Sequence, residues 1–453
     1  MAKNEIGQYD ETNSGNTDID GIVLSDATQI DQLDDIARAL MGALKRWFRV
    51  DLFRLQDNTD QTKLLALDLS GLATATTRTL TAQDKNGTIA LTSDLTSLAS
   101  LLDTRRNRIV NHDMRVSQEN GTTAGTTNGY YAADQWAQYF VTSAGTLTVA
   151  QVASVTPAGS PNRLRATVTV ADATLAAGEF WTLTQNLEGS NVADFQYGGA
   201  SAKNIVLRFG FKGPAGTYAV SLKNSAANRS YVALFTIAGG EANTDTVQTI
   251  SIAGDATGTW LTADGVIGLT LDIVLACGTT FQGSTGWQSG NILGTSGVSN
   301  GMGTGSAVFE LFDVGLKLDP DATGIYGQYE VGEVHPVYRS ERYLPCFTSA
   351  STGDTLGLGQ VYATTAAYGF IPFLVETCKP PTGLDISSSA HVSVTGAIST
   401  PIAVSGAVSF NQASRRSCRI TAGVSSGLAA GDATNFYFNN ASGKIIFTGC
   451  RLS

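Results

Sequence analysis

Ile205-Val206-Leu207-Arg208-Phe209-Gly210-Phe211 and, after a Gly-containing break, Thr217-Tyr218-Ala219-Val220-Ser221-Leu222 are the stretch that decides the fold. Bulky apolar side chains recur at every second position, at Leu207, Phe209 and Phe211 and again at Tyr218, Val220 and Leu222. Period two places them on one face of an extended chain, with Arg208 and Ser221 on the other, which is the pattern of a strand with one buried and one solvated side.

The same reading extends outward. Val168 and Val170, Phe180 to Gln185, Ser230 to Ile237, Thr246 to Ile252, Gly268 to Leu275 and Ala307 to Leu318 are strand segments interrupted by Gly, Asn and Asp clusters. So many strands between Asn107 and Pro336, with long connections, suit a jelly-roll β-sandwich over 107–340. Val361-Tyr362, Tyr368 to Ile371, Phe373 to Val375, His391 to Val394, Ala407 to Phe410, Phe436 to Phe438 and Lys444 to Phe447 predict a smaller C-terminal β-domain over 341–453. The expected fold class is therefore mainly β.

Residues 1–28 are polar and aperiodic and read as an irregular arm. Asn16, Asp18, Asp20 and Gly21 imitate the start of a calcium loop, but Ala27 stands where a bidentate Glu is required. Over 29–50, Ile30, Leu33, Ala37, Leu40, Leu44 and Trp47 alternate spacings of three and four, the seam of a short coiled-coil-like helix. Asp31, Asp34 and Asp35 at its start and Lys45, Arg46 and Arg49 at its end complement the helix dipole. Ile36, Met41 and Phe48 widen the apolar stripe beyond what a two-stranded coil would cover; three chains in a homotrimer, or one chain docked on another domain, would hide it, and Ile30, Leu33, Leu40, Leu44 and Trp47 are the expected contacts between copies. Residues 51–106 alternate at Leu65, Leu67 and Leu69, turn at Asn86-Gly87, and regain helical spacing from Ser93 to Arg106, which predicts a β-hairpin stalk and a linker helix.

Composition excludes several classes of function. Only 15% of the residues are charged and the formal net charge is -10, which argues against a nucleic-acid partner, because such binding rests on Lys and Arg that release counterions. No apolar run approaches the roughly 20 residues that span a bilayer, so membrane insertion is not expected. The first residues show no secretory pattern, and synthesis in the cytoplasm is expected. Cys277, Cys346, Cys378, Cys418 and Cys450 are an odd number at wide spacing and read as small buried hydrophobes. His112, His335 and His391 are scattered, and neither a metal site nor a cofactor is predicted.

Several further segments resemble proteins of tailed-bacteriophage tail fibres. Leu52 to Asp57, Leu67 to Leu72, Arg78-Thr79-Leu80 and Asn86 to Leu95 look like a recurrent fibre segment, and Asn16 to Ile22 with the following helix looks like the end that attaches to the virion. Arg108 to Val116, Tyr131 to Trp136 and Gly216-Thr217-Tyr218 resemble the carbohydrate-binding-like jelly-roll of such fibres, with His112 and Gln135 standing where Gly and Arg are usual. Ser340 to Phe347 resembles the junction to a small terminal β tip. The resemblance implies a virion protein, made in the host cytoplasm, that trimerises. It also implies that residues 1–50 attach to a tail, baseplate or collar protein and that the β-domains bind a host surface glycan or lipopolysaccharide. A purely structural collar, head or baseplate fibre is the alternative, and a polysaccharide depolymerase a lesser one.

Sugar recognition needs an aromatic face for the apolar side of a pyranose and nearby polar groups for its hydroxyls. Tyr130, Tyr131, Asp134, Trp136 and Trp287 in the first β-domain, and Tyr362, Tyr368 and Tyr437 in the second, are the candidates, with Trp260 also among polar, Gly-rich surroundings. Glycoside cleavage would need paired carboxylates, for which Glu179, Glu188, Asp194 and Glu310 are available without any sequence sign of pairing. Two strings fit G-x-S-x-G, Gly297 to Gly301 and Gly423 to Gly427, but neither lies between a buried strand and a helix. No catalytic residue is predicted and the chain reads as a non-enzyme. The mass of the chain in solution is expected to be that of three copies, and Leu40→Asp is expected to dissociate them; a monomeric wild-type chain would refute the seam.

Overall fold

The computed structural model describes residues 106–326, 336–396 and 401–452, preceded by 18–19, 22–23, 33–47, 54–56, 59–60, 62–66 and 74–75. The chain divides into two compact units, Met1–Ile89 and Ala90–Ser453.

In the first unit, β1 (Asp18–Ile19) pairs antiparallel with β2 (Ile22–Val23), so the arm read as irregular contains a two-residue ladder. Helix α1 covers Leu33–Trp47 and carries Leu33, Leu40, Met41 and Leu44 exposed. β3 (Arg54–Gln56) and β4 (Leu64–Ala66) form a second small ladder. Ile30, the turn at Asn86-Gly87 and the helix expected from Ser93 lie outside the described residues.

The second unit begins with β5 (Tyr130–Ala133), β6 (Trp136–Val141), β7 (Thr146–Ala153), β8 (Asn162–Val170), β9 (Phe180–Glu188), β10 (Ile205–Lys212), β11 (Gly216–Lys223), β12 (Arg229–Ile237), β13 (Thr246–Ile252), β14 (Ile267–Cys277), β15 (Gly286–Ser289) and β16 (Val308–Leu318). They form a five-stranded sheet, β13-β10-β16-β8-β7, and a seven-stranded sheet, β15-β12-β11-β14-β9-β6-β5, all antiparallel. The alternation in β10 and β11 puts Leu207, Phe209, Phe211, Tyr218, Val220 and Leu222 on one shared core, but the other face of β11 is not solvated as expected: Ser221 is buried, and Ala219 packs in a smaller cluster with Val232, Val274, Cys277 and Leu293. That core is aromatic. Trp181 meets Phe309 edge to face at 5.5 Å, Phe209 meets Phe235 at 5.1 Å, and Phe211 lies 5.5 Å from Tyr218, so rings from each sheet interlock with rings from the other.

A helix, α2 (Pro336–Glu341), leads to β17 (Cys346–Thr348), β18 (Thr355–Ala363), β19 (Ala366–Pro372), β20 (Gly383–Ile386), β21 (Val392–Thr395), β22 (Pro401–Ala403), β23 (Val408–Ala413), β24 (Ser417–Gly423), β25 (Ala433–Phe438) and β26 (Lys444–Thr448). A three-stranded sheet, β17-β26-β20, covers a seven-stranded one, β22-β21-β25-β18-β19-β24-β23, over a second core that contains Phe436, Phe438 and Phe447. Phe373 to Val375, expected as a strand, is an irregular segment: β19 ends at Pro372 and the chain bends away. Cys277, Cys378, Cys418 and Cys450 are buried as free thiols, and Cys346 is half-buried. Burial pushes the Cys277 and Cys378 thiols up to about 11 and those of Cys418 and Cys450 up to about 12.

Glycines make room for rings. Phe312 is wholly buried on the strand opposite Gly210, and a Cβ at Gly210 would overlap its ring. The Arg163 guanidinium caps the same ring at 4.4 Å. Gly210→Ala is therefore expected to cost about 1–3 kcal/mol through overpacking, read from chemical denaturation. A loss below about 0.5 kcal/mol, the size typical of surface changes, would mean that Phe312 has room to swing away.

Candidate functional site

The candidates of the first β-domain are mostly committed to the domain itself. Trp136 is wholly buried in the core, where it packs rather than faces a ligand. Asp134 is also buried. Its carboxylate accepts bonds from the backbone N–H of Gln118 at 2.9 Å and from the Gln118 side-chain amide at 2.8 Å. Tyr130 donates its hydroxyl to Thr123 O at 2.8 Å, and the Tyr131 ring is covered by the Arg451 guanidinium at 3.8 Å. Trp287, with Tyr197, Tyr231 and Trp260, makes an edge-to-face cluster beside the core, with ring centroids 5.0–5.5 Å apart. Its indole N–H donates to Ala253 O at 2.7 Å, so the cluster plugs the edge of the sandwich.

The candidate acids are equally engaged. Glu310 is paired with Arg163 at 3.1 Å and Arg165 at 2.7 Å, Asp194 with Arg108, and Glu179 accepts the backbone N–H groups of Ser143 and Ala176 at 2.6 Å each. Glu188, at the end of β9, is gripped by Arg342 through two 2.7 Å bonds and accepts from the Tyr343 hydroxyl at 3.0 Å and from Gly265 N at 2.7 Å. Ser299, in one G-x-S-x-G string, accepts from Thr217 N at 3.0 Å within a loop. Among the described residues no group of three or more His, Cys, Asp or Glu is arranged to hold a metal ion, and no helix is long and apolar enough to cross a membrane.

Glu188 and Arg342 also join the two sandwiches. Alongside them Arg451 reaches Glu119 at 2.6 Å, Lys444 donates to the carbonyls of Gln118 and Glu119, and Val110, Tyr343, Cys378 and Leu452 share a small apolar cluster.

The C-terminal sandwich presents the open surface. On its seven-stranded sheet, Leu358 pairs with Phe370 and Asn435, Gln360 with Tyr368, and Phe370 with Arg419, which places all six side chains on the face away from the core. Leu358 is 68% exposed, Phe370 53% and Tyr362 45%. Tyr362 stacks on Tyr368 with centroids 4.1 Å apart and planes 18° from parallel, and the Arg419 guanidinium lies 4.5 Å from the Tyr368 ring. Arg419 is held in turn by Asn411 Oδ1. Tyr437 is half-buried nearer the sheet's other end, opposite Ser393 and Thr355. The result is a rigid aromatic ledge with amides from Gln360 and Asn435 beside it. Of the sequence candidates, the structure brings Tyr362 and Tyr368 together; it adds Leu358, Gln360, Phe370, Arg419 and Asn435, which were not singled out. Alternation across Leu358, Gln360 and Tyr362 could have revealed them, but Val361 and the glycines between leave no polar face to mark the outside.

No protein-family model matches the chain, and no curated protein matches it. Solved structures with partial likeness include the enzymatically active domain of tailspike protein 4 from bacteriophage CBA120, at 10% identity and a TM-score of 0.25, covering 47% of this chain and 21% of that one. The family 11 carbohydrate-binding module of the cellulase Lic26A-Cel5E from Clostridium thermocellum gives 13% and 0.23, over 44% and 96%. The CBM22-1 xylan-binding domain of Xyn10C from Paenibacillus barcinonensis gives 9% and 0.22, over 46% and 91%.

Removing Arg342 would strand the Glu188 carboxylate at the junction. Arg342→Ala is expected to cost about 3–5 kcal/mol, measured by denaturation, as for other broken buried pairs. A cost under about 1 kcal/mol, that of a surface pair, would show that water reaches the carboxylate.

Proposed function

We propose that this chain is a bacteriophage tail fibre that binds a host-surface glycan and catalyses nothing. Its C-terminal sandwich supplies the contact through the Tyr362–Tyr368 ledge. The observation that carries this reading is the solvent-facing stacked pair itself: folding gains about 1.5–3 kcal/mol by burying one such side chain, yet here aromatic and apolar groups stand in water on a rigid sheet. A pyranose can lay its apolar face on Tyr362, while Gln360 and Asn435 offer amides to its hydroxyls. The aromatic and acidic candidates of the first β-domain are engaged within its own fold, which favours the C-terminal sandwich as the contact. The same engagement of Glu179, Glu188, Asp194 and Glu310 supports binding over cleavage.

The remaining parts of the proposal are trimerisation through α1, attachment of residues 1–50 to a tail, baseplate or collar protein, and location on the virion. The exposed Leu33, Leu40 and Leu44 of α1 support association of copies, since one chain leaves that stripe uncovered. The resemblance of residues 16–95 to fibre segments supports attachment.

The test is binding of the whole chain to purified host envelope glycan. Tyr362→Ala and Tyr368→Ala are each expected to weaken it about tenfold, the worth of one ring contact, with an unchanged melting curve. Undiminished binding in both variants would move the contact off the ledge.

A further inference from the structure

A concavity of about 570 Å3 opens between the end of α2 and the C-terminal sandwich, and its wall includes Pro372, which ends the strand that carries Tyr368 and Phe370. Its walls are Pro345, Phe347, Pro372, Phe373 and Leu374, and Glu341 supplies the one charged side chain among its described lining. The size is that of a small-molecule site, and the make-up, apolar walls with one polar group, is what such sites show.

Glu341 is the unusual member. It is half-buried, yet its carboxylate has no hydrogen-bond or ion-pair partner among the described residues, unlike Glu188, Glu179 and Glu310 in the same unit. Burial, and then the like charge of Asp134, push its carboxyl above the usual range. A carboxylate withdrawn from water without a partner is costly, and a cation entering the pocket would relieve that cost. Phe347 and Phe373 are both braced edge to face against Phe447, at 5.9 and 5.1 Å, so their rings are fixed walls that attract a cation further. A sugar does not fit this lining: beyond Glu341 only Thr348 offers a side-chain hydroxyl, and most of a sugar's hydroxyls would be left unpaired.

We propose that this pocket binds a primary ammonium group carried on an apolar stem, with the ammonium on Glu341 and the stem between Phe347, Phe373 and Leu374. The chemistry is shared by a lysyl side chain and a small alkylamine. This inference stands apart from the glycan reading and survives its failure.

Calorimetry on the full chain with hexylamine, hexanol and Nα-acetyl-lysine methylamide tests it. At least one amine is expected to bind ten times more tightly than hexanol; binding by the lysine derivative alone would indicate a protein source, and by hexylamine alone a small amine. In Glu341→Gln, which removes an unpaired charge and so keeps the fold, that preference is expected to vanish. Amine affinity requires ionised Glu341, so it is expected to fall as the pH drops through the raised titration range of that carboxyl, while hexanol binding stays level. Equal affinity for amine and alcohol, no binding by any of the three, or an undiminished preference in Glu341→Gln would each overturn the proposal.

Discussion

Rings packed between and upon antiparallel sheets need volume that a Cβ on the facing strand would take, and this constraint runs through both sandwiches. Phe312 lies over Gly210, and Phe436 of β25 reaches across β18 to Gly369 of β19, two strands away, where a Cβ would come within 2.9 Å of the ring. Neither glycine has the positive φ that would demand glycine for its backbone, so space is the reason for both. The interlocked rings Trp181, Phe209, Phe211, Tyr218, Phe235 and Phe309 then tie the two sheets of the first sandwich into a unit. A chain with 49 glycines and 15% charged residues is what such packing asks for.

Charges in this unit are few, and most of the buried ones are spent on holding it together. Glu310 neutralises arginines on the outside of the five-stranded sheet, Asp255 takes Arg229 in two bonds of 2.8 Å, and Glu188 takes Arg342 across the junction. Because these groups are saturated, they have little left for a ligand. What remains available is of two kinds: the aromatic ledge, whose groups face water, and the half-buried Glu341, whose carboxylate has no partner among the described residues.

The helix from Leu33 to Trp47 and the alternation from Leu207 to Leu222 are legible because each reports a local period, and the backbone answers to that period within a few residues. The strand edges in the C-terminal region were harder, since Gly357, Gly359 and Gly369 interrupt the alternation there. Phe373 to Val375 has strand-like composition, but Pro372 closes β19 before it. Aromatic candidates could be named from their neighbours, yet Trp136 and Tyr362 sit in similarly polar sequence and end at opposite extremes of exposure.

By itself the sequence determined an all-β body, the helix α1, the rarity of charge and the pool of aromatic residues from which a site could be drawn. Only the tertiary structure decided which of those rings are core and which are surface, because that depends on what covers the second face of a strand. It also decided which carboxylates are occupied. Glu188 meets Arg342 across 154 residues of chain, and Glu341, its near neighbour in the fold, meets no cation among the described residues. Periodicity says which side chains share a face; pairing register and domain packing say whether that face meets protein or solvent, and those are set by residues too distant in sequence for any local pattern to record.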